Sequence, residues 1–292
     1  MSKPQDYLRL MRPHQYLKNG FVLLGIVFSH QWGLSSLLGA ALAFTAFCAM
    51  ASTVYIMNDL MDVEADKQHP IKCARPLPSG QIKPAHALLL SLGLFSASVF
   101  LALVVSTSVL ACVLAYFMLN VLYSRWLKHV VILDVFVISS GFMLRILAGT
   151  LGLGIQPSEW LLLCGLMVTL FLGFAKRRAE LLMLEAAETE LTGTRKVLDE
   201  YSPALLEQLT AVTAACTLIS YGLYTVSPQT IALHGSPALI YTMPFVTYGI
   251  FRYLFLLHHK SRGNDTAKDL MTDKHLLLTI AGWVFTILSI LA

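Results

Sequence analysis

Three aspartates, Asp59, Asp62 and Asp66, stand three and four residues apart in the stretch NDLMDVEADKQHPIKCARPLPSG, Asn58 to Gly80. On a helix that spacing gathers them on one face; Asn58, four residues before Asp62, joins them and Glu64 points elsewhere. Carboxylates held this close repel one another unless a cation sits between them. Hard divalent cations take oxygen ligands, and Mg²⁺ typically uses one or two carboxylates together with the oxygens of a substrate phosphate. Lys67, Lys72 and Arg75 follow at once and suit the rest of such a polyanion. Asn58, Asp59, Asp62 and Asp66 are therefore candidate metal ligands, and the chemistry they point to is metal-assisted work on a phosphorylated substrate. The alternative is a solvated loop of mixed charge. Against it, the carboxylates begin inside an apolar helical pattern at a membrane edge, where unpaired charge is costly.

The elements that must position these residues are membrane helices. Over 292 residues the chain is 56% hydrophobic and only 13% charged, which excludes an ordinary soluble domain. Apolar runs of bilayer-crossing length, each about 20 residues, fall near 17–33, 36–57, 84–104, 106–124, 130–152, 158–182, 205–227, 237–258 and 273–292. The fold expected is an all-α polytopic membrane protein of about nine transmembrane helices. Its start, MSKPQDYLRLMRPHQYLKNG, lacks the short apolar core and cleavage pattern of a secretory signal, so the first span is expected to be retained.

Charge alternates sharply between the connections. Twenty of the 21 Lys and Arg residues fall on one side of that nine-span topology, and the exception is Arg145 within the fifth span. The opposite connections (HQWGLSS, VVSTS, GLGIQPSE and SPQTIALHGSP) hold no Lys or Arg. The positive-inside rule makes the basic side cytoplasmic, with the N-terminus inside and the C-terminus outside. The net charge of +4 thus faces a membrane surface and is no pointer to nucleic acid. Five scattered cysteines contain no CxxC pair, which argues against a disulfide framework or a zinc site. His14, His69, His86, His129, His258 and His259 show no metal-ligand spacing. No Walker loop, GxSxG or dinucleotide fingerprint is present.

Further polar groups lie at the same cytoplasmic level. Asn120, Tyr123, Ser124 and Lys128 close the fourth span, although a lone tyrosine there is also an ordinary belt aromatic. Asp134 and Arg145, eleven residues apart in the fifth span, return to one helix stripe, with Gly141 on it and Gly149 near it. An arginine inside a span faces the protein interior or a watery cavity. In AKRRAELLMLEAAETELTGTRKVLDEYSPALLEQ, Lys176 and Arg177 lie four and three residues before Glu180. They read either as a surface helix with its own ion pairs or as a second wall of a phosphate pocket. The chain is read as one domain, 1–292, with loops 58–83 and 176–204 capping an active site.

NDLMDVEAD resembles the NDxxDxxxD signature of the UbiA superfamily, intramembrane transferases of about nine helices with Mg²⁺-dependent chemistry on diphosphates. RPHQYLKN (Arg12 to Asn19), YSRWLKHVVILDVFVISSGFMLRILAG (Tyr123 to Gly149), FAKRRAEL (Phe174 to Leu181), TRKVLDEYS (Thr194 to Ser202) and SYGLYT (Ser220 to Thr225) are similar to its decaprenyl-phosphate phosphoribosyltransferase branch. That resemblance implies transfer of 5-phosphoribose from 5-phosphoribosyl diphosphate to a polyprenyl phosphate, with inversion at C1, at the cytoplasmic face of the inner membrane. The product would supply pentose for envelope glycans. It implies Mg²⁺, with Mn²⁺ also suited, on Asn58, Asp59, Asp62 and Asp66. Lys18, Lys72, Arg75, Tyr123, Lys128, Asp134, Arg145, Lys176, Arg177 and Glu180 are then the candidates for substrate contacts. Most superfamily members carry a second aspartate-rich motif after the sixth span. Here Lys176, Arg177 and Glu180 stand in its place, which puts a second metal site in doubt and fits a donor with an extra 5-phosphate. Two rival functions are a prenyl transfer from a prenyl diphosphate to an aromatic acceptor and non-catalytic transport of anions.

Overall fold

The computed structural model describes residues 3–29, 32–68, 72–186, 196–259 and 272–291. His69, Arg195, Lys260, Arg262, Lys268 and the middle of the 176–204 loop lie outside them. Among the described residues, eight helices are long and apolar enough to cross a membrane: Leu34–Met61, Pro84–Val105, Thr107–Arg125, Leu133–Leu153, Glu159–Leu184, Pro203–Val226, Ala238–His259 and Lys274–Leu291. Each matches one of the last eight expected spans within a few residues. Large apolar side chains such as Leu89, Phe100, Leu278 and Phe285 stand exposed on these helices, which a bilayer tolerates and water does not. The chain is a multi-pass, all-α membrane protein.

The span expected at 17–33 is built differently. Pro13–Leu23 is a 3-10 helix that runs into the short α-helix Leu24–Phe28. Pro13 sets the start, and Lys18 and the fully buried Asn19 interrupt the apolar pattern. At about 2.0 Å per residue the 3-10 turns reach roughly 22 Å, and the α-helical piece adds roughly 8 Å. That total is comparable with the roughly 30 Å hydrocarbon core.

The chain divides into two compact units. The first comprises Met1–Ser124 and Leu144–Ile155. It holds α1 (Pro4–Met11), α2 (Leu24–Phe28), α3 (Leu34–Met61), α4 (Val63–Gln68), α5 (Pro84–Val105), α6 (Thr107–Arg125, to Ser124) and the end of α7 (Leu133–Gly149). Its centre is α3, on which Ala40, Ala43, Ala46 and Ala51 are buried and admit close helix approach. There α5 packs along it, and the Ser98 hydroxyl donates to the Ala46 carbonyl at 2.7 Å. The tightest approach is at Gly149. A β-carbon there would lie 1.7 Å from the Val22 carbonyl oxygen, so only glycine lets α7 end against the 3-10 helix.

The second unit comprises Arg125–Met143 and Gln156–Ala292. It carries the start of α7, α8 (Glu159–Ala186), α9 (Pro203–Val226), α10 (Pro228–His234), α11 (Met243–His259) and α12 (Lys274–Leu291). Here α8 and α9 pack along one another. At one end of that pair Val135, Phe174, Val197, Leu198, Tyr201 and Leu206 form a buried cluster. This cluster fastens the 3-10 segment Lys196–Glu200 to the helices, and the 3-10 turn Leu127–His129 lies against that segment.

Candidate functional site

In the first unit α3 stops at Met61, and Asp62 caps it, its N–H donating to the Asn58 carbonyl at 3.0 Å. The chain restarts as α4, so the aspartate face is broken at its middle member. Asp59, before the break, and Asp66, after it, are each 3% exposed, whereas Asp62 and Glu64 are exposed. The structure thus brings Asp59 and Asp66 together and leaves Asp62 outside the pair.

Basic side chains fill the space around that pair. Arg75 Nη1 donates to Asp66 Oδ2 at 2.6 Å and to Asp59 Oδ1 at 3.2 Å. Arg12 Nη2 donates to Asp59 Oδ1 at 2.5 Å, and its guanidinium lies 5.1 Å from the centre of the Tyr55 ring. Lys72 Nζ stands 3.7 Å from Asp66 Oδ1. Nearby, the Ser124 hydroxyl donates to Asn58 Oδ1 at 3.0 Å, with Tyr123 beside it on α6. Lys18 is half-buried on the 3-10 helix.

Among the described residues no three His, Cys, Asp or Glu side chains form a ready metal cage. The donor set still fits a divalent ion. One nitrogen atom of Arg75 touches an oxygen from each of Asp59 and Asp66, so a single positive centre reaches both. Two carboxylates plus substrate phosphate oxygens are an ordinary Mg²⁺ environment. A guanidinium displaced from them is well shaped for phosphate.

Arg145 sits in the interior of the first unit, 4% exposed. Its Nε donates to Asn19 Oδ1 at 2.7 Å, and its guanidinium lies 4.4 Å from the Tyr116 ring centre and 5.4 Å from that of Phe47. Asn19 in turn donates to Cys48 Sγ at 3.2 Å.

In the second unit Asp134 is fully buried with both oxygens engaged. Arg177 Nε donates to Oδ2 at 2.6 Å and the Tyr201 hydroxyl donates to Oδ1 at 2.8 Å. Arg177, 1% exposed, also pairs with Glu180, and Lys176 Nζ lies 3.7 Å from Glu180 Oε1. The intrahelical pairs expected from the spacing are therefore present, and Arg177 carries a buried charge pair as well. Lys128 sits half-buried on the 3-10 turn Leu127–His129. Though on one helix stripe, Asp134 and Arg145 bind side chains from other elements, Arg177 and Tyr201 for the first and Asn19 for the second.

Among the residues of these networks that spacing did not single out are Arg12, Asn19 and Tyr201. Arg12 lies 47 residues from Asp59, and no spacing rule connects them; its place at the head of RPHQYLKN, one of the stretches that carry the branch resemblance, was the local signal. Tyr201 lies in TRKVLDEYS, one of the stretches that carry the branch resemblance, but nothing in its spacing pointed to Asp134.

Residues 20–289 match the UbiA prenyltransferase family. A decaprenyl-phosphate phosphoribosyltransferase of Corynebacterium glutamicum is 32% identical, covering 96% of this chain and 85% of that one. Another from Mycolicibacterium smegmatis is 30% identical, covering 96% and 90%. Among solved structures, a UbiA homolog from Archaeoglobus fulgidus bound to GPP and Mg²⁺ superposes with a TM-score of 0.73 at 17% identity, covering 98% of this chain and 99% of that one. That last likeness is one of fold.

Proposed function

This chain belongs to the UbiA prenyltransferase family, and on that premise we propose that it transfers 5-phosphoribose from 5-phosphoribosyl diphosphate to a polyprenyl phosphate of the decaprenyl type. The single structural observation behind a diphosphate-handling site is Arg75 bridging Asp59 and Asp66. That geometry suits any diphosphate donor. The choice of a pentosyl donor is supported by the end-to-end likeness to relatives so named.

In this reading Asp59 and Asp66 hold Mg²⁺ or Mn²⁺, with Asn58 and Asp62 from the break between α3 and α4 as further oxygen donors. A bound divalent ion supplies neutralisation of the charge that develops on the departing diphosphate. Arg12, Lys72 and Arg75 supply hydrogen bonds to the same oxygens, and their effect grows as the charge grows. The C1–O bond to diphosphate breaks while an oxygen of the lipid phosphate bonds to C1 from the opposite face, which inverts that carbon. The lipid phosphate is already anionic at neutral pH, so the step requires no strong base. Lys18, Tyr123, Lys128 and Lys176 are assigned to substrate phosphates. Asp134, Arg145, Arg177 and Glu180 act through the buried contacts described above. The distribution of Lys and Arg supports a site facing the cytoplasm from the inner membrane, and the product is a form in which activated pentose could enter envelope glycans.

The test uses purified protein, ribose-labelled 5-phosphoribosyl diphosphate and decaprenyl phosphate in detergent with Mg²⁺. Label in the lipid fraction, lost with a chelator and restored by Mg²⁺, is the expected result. No labelled lipid, together with turnover of a prenyl diphosphate onto an aromatic acceptor, would reverse the assignment.

A further inference from the structure

Arg12 ends α1 in the left-handed conformation, at φ 56° and ψ 58°. Helices commonly close on such a residue, but it is usually glycine and sometimes asparagine, because a β-carbon is crowded there. Pro13 comes next, and a proline favours extended backbone at the residue before it. Something must hold Arg12 in place. Its own N–H donates to the Leu8 carbonyl at 3.2 Å, the ordinary bond of a helix end. A second hold comes from α3. There the Ser52 hydroxyl donates at 2.9 Å to the Met11 carbonyl, which belongs to the peptide leading into Arg12. A serine has one hydroxyl hydrogen. With that hydrogen committed to Met11, the Tyr16 hydroxyl, 2.7 Å from Ser52 Oγ, is the donor of its pair. Tyr16 thereby fixes the direction in which the serine hydroxyl points, and Ser52 is fully buried.

We propose that Ser52, oriented by Tyr16, is a positioning residue: it holds the Met11–Arg12 peptide so that the Arg12 guanidinium stands on Asp59, where the departing diphosphate is bound. This rests on the phosphoribosyl-transfer reading above. Three observations carry it, all within the first unit. Ser52, Tyr55 and Asp59 follow one another at three and four residues and share one face of α3. On that face the Arg12 guanidinium lies 5.1 Å from the Tyr55 ring centre and 2.5 Å from Asp59 Oδ1. Ser52 itself is two turns from Asp59, roughly 10 Å along the helix, so it acts through Arg12 and does not touch the phosphates. The next contact down the same face is Asn19 to Cys48 Sγ at 3.2 Å. The 3-10 helix is thus seated on α3 at Tyr16 and again at Asn19, which gives the Met11–Arg12 peptide a fixed support. A left-handed backbone kept at a residue other than glycine, with its side chain in the site, is the pattern of strain found at functional sites.

The experiment is a cycle on the full-length protein: wild type, S52A, R12A and S52A/R12A. Each is titrated with Mn²⁺ without donor, followed by electron paramagnetic resonance, and with 5-phosphoribosyl diphosphate by direct binding and by KM. Alanine suits a helix and removes only the hydroxyl. S52A is expected to raise the donor Kd and KM about three- to tenfold, the net scale of one hydrogen bond. It should also tighten Mn²⁺, because a displaced Arg12 no longer shares Asp59 with the ion. The KM for polyprenyl phosphate should not move. In the R12A background, S52A should change the donor Kd by less than about twofold. A general loosening of the fold would weaken both ligands, with or without Arg12. Unchanged donor binding in S52A, weakening of metal and donor together, or the same penalty in the R12A background therefore overturns the proposal. Should S52A not fold, Y16F takes its place in every member, since it releases the serine hydroxyl from its fixed direction, and the same outcomes decide. A wild type that makes no labelled lipid overturns the functional reading itself; the Mn²⁺ titration needs no donor and still decides whether Ser52 places Arg12 on Asp59.

Discussion

Arg12 Nη2 lies 2.5 Å from Asp59 Oδ1, so the first residue after α1 closes on the last turn of α3. Arg12 takes the left-handed conformation to do so, at φ 56° and ψ 58°. Its guanidinium and a divalent ion would compete for the same carboxylate oxygen, while a diphosphate would gain from both. R12A is therefore expected to act with opposite signs on the two ligands. Mn²⁺ binding without donor, followed by electron paramagnetic resonance, should tighten. The donor KM should rise by about ten- to a hundredfold, the scale of a lost charge-assisted hydrogen bond. R12A with unchanged metal and donor binding would remove Arg12 from the site.

The Asp134–Arg177 pair, with side chains 0% and 1% exposed, is a separate matter of stability. Removing one partner leaves the other charge buried, at a cost of about 3–5 kcal/mol, whereas removing both often costs much less. R177M should lower the thermal midpoint in detergent by more than R177M/D134N does. If the double variant were the less stable of the two, the pair would not be the dominant contact there.

Some of this was legible in the chain and some was not, for physical reasons. Eight membrane helices follow from apolar runs, because a bilayer demands unbroken hydrophobic length. The span read at 17–33 is instead a 3-10 helix, Pro13–Leu23, followed by a short α-helix, Leu24–Phe28, since hydropathy does not distinguish the two kinds of helix. Asp59 and Asp66 were found by helical spacing, yet the chain break at Asp62 was not, and the break sets Asp62 apart. Lys176, Arg177 and Glu180 pair as their spacing implies, being neighbours on one helix. Asp134 and Arg145 share a helix stripe, but their partners Tyr201, Arg177 and Asn19 come from elements 43 to 126 residues away. Local periodicity carries no information about such contacts.

Gly149 supports a packing prediction with an internal control. Its missing β-carbon would sit 1.7 Å from the Val22 carbonyl oxygen, and that of Gly25 2.0 Å from the Gly149 oxygen, whereas Gly20 has nothing within 4 Å. G149A must push the 3-10 helix away from α7 and loosen the Asn19–Arg145 contact. A loss of about 3 kcal/mol is expected, at the upper end for an overpacked core. G20A should leave the thermal midpoint nearly unchanged. Equal effects from the two substitutions would contradict the close approach.

Asp273 supplies a pH dependence whose sign can be worked out. It stands just before α12, where Oδ1 accepts from the His275 and Leu276 backbone N–H groups at 3.1 Å each. Arg252 adds a two-pronged contact, Nε to Oδ1 at 3.2 Å and Nη2 to Oδ2 at 2.9 Å. The Arg252 hydrogen bonds, aided by the helix-start N–H groups, pull the Asp273 carboxyl down to about 2. A carboxylate with a depressed folded pKa stabilises the fold fully above its unfolded value, about 3.9. That stability disappears as pH falls through the folded value. Wild type should therefore have a higher thermal midpoint than D273N at pH 7 and at pH 5, and the gap should close between about pH 4 and 2. A gap that persists below pH 2, or that closes on the alkaline side instead, would show that the pairing with Arg252 is not what holds α12 in place.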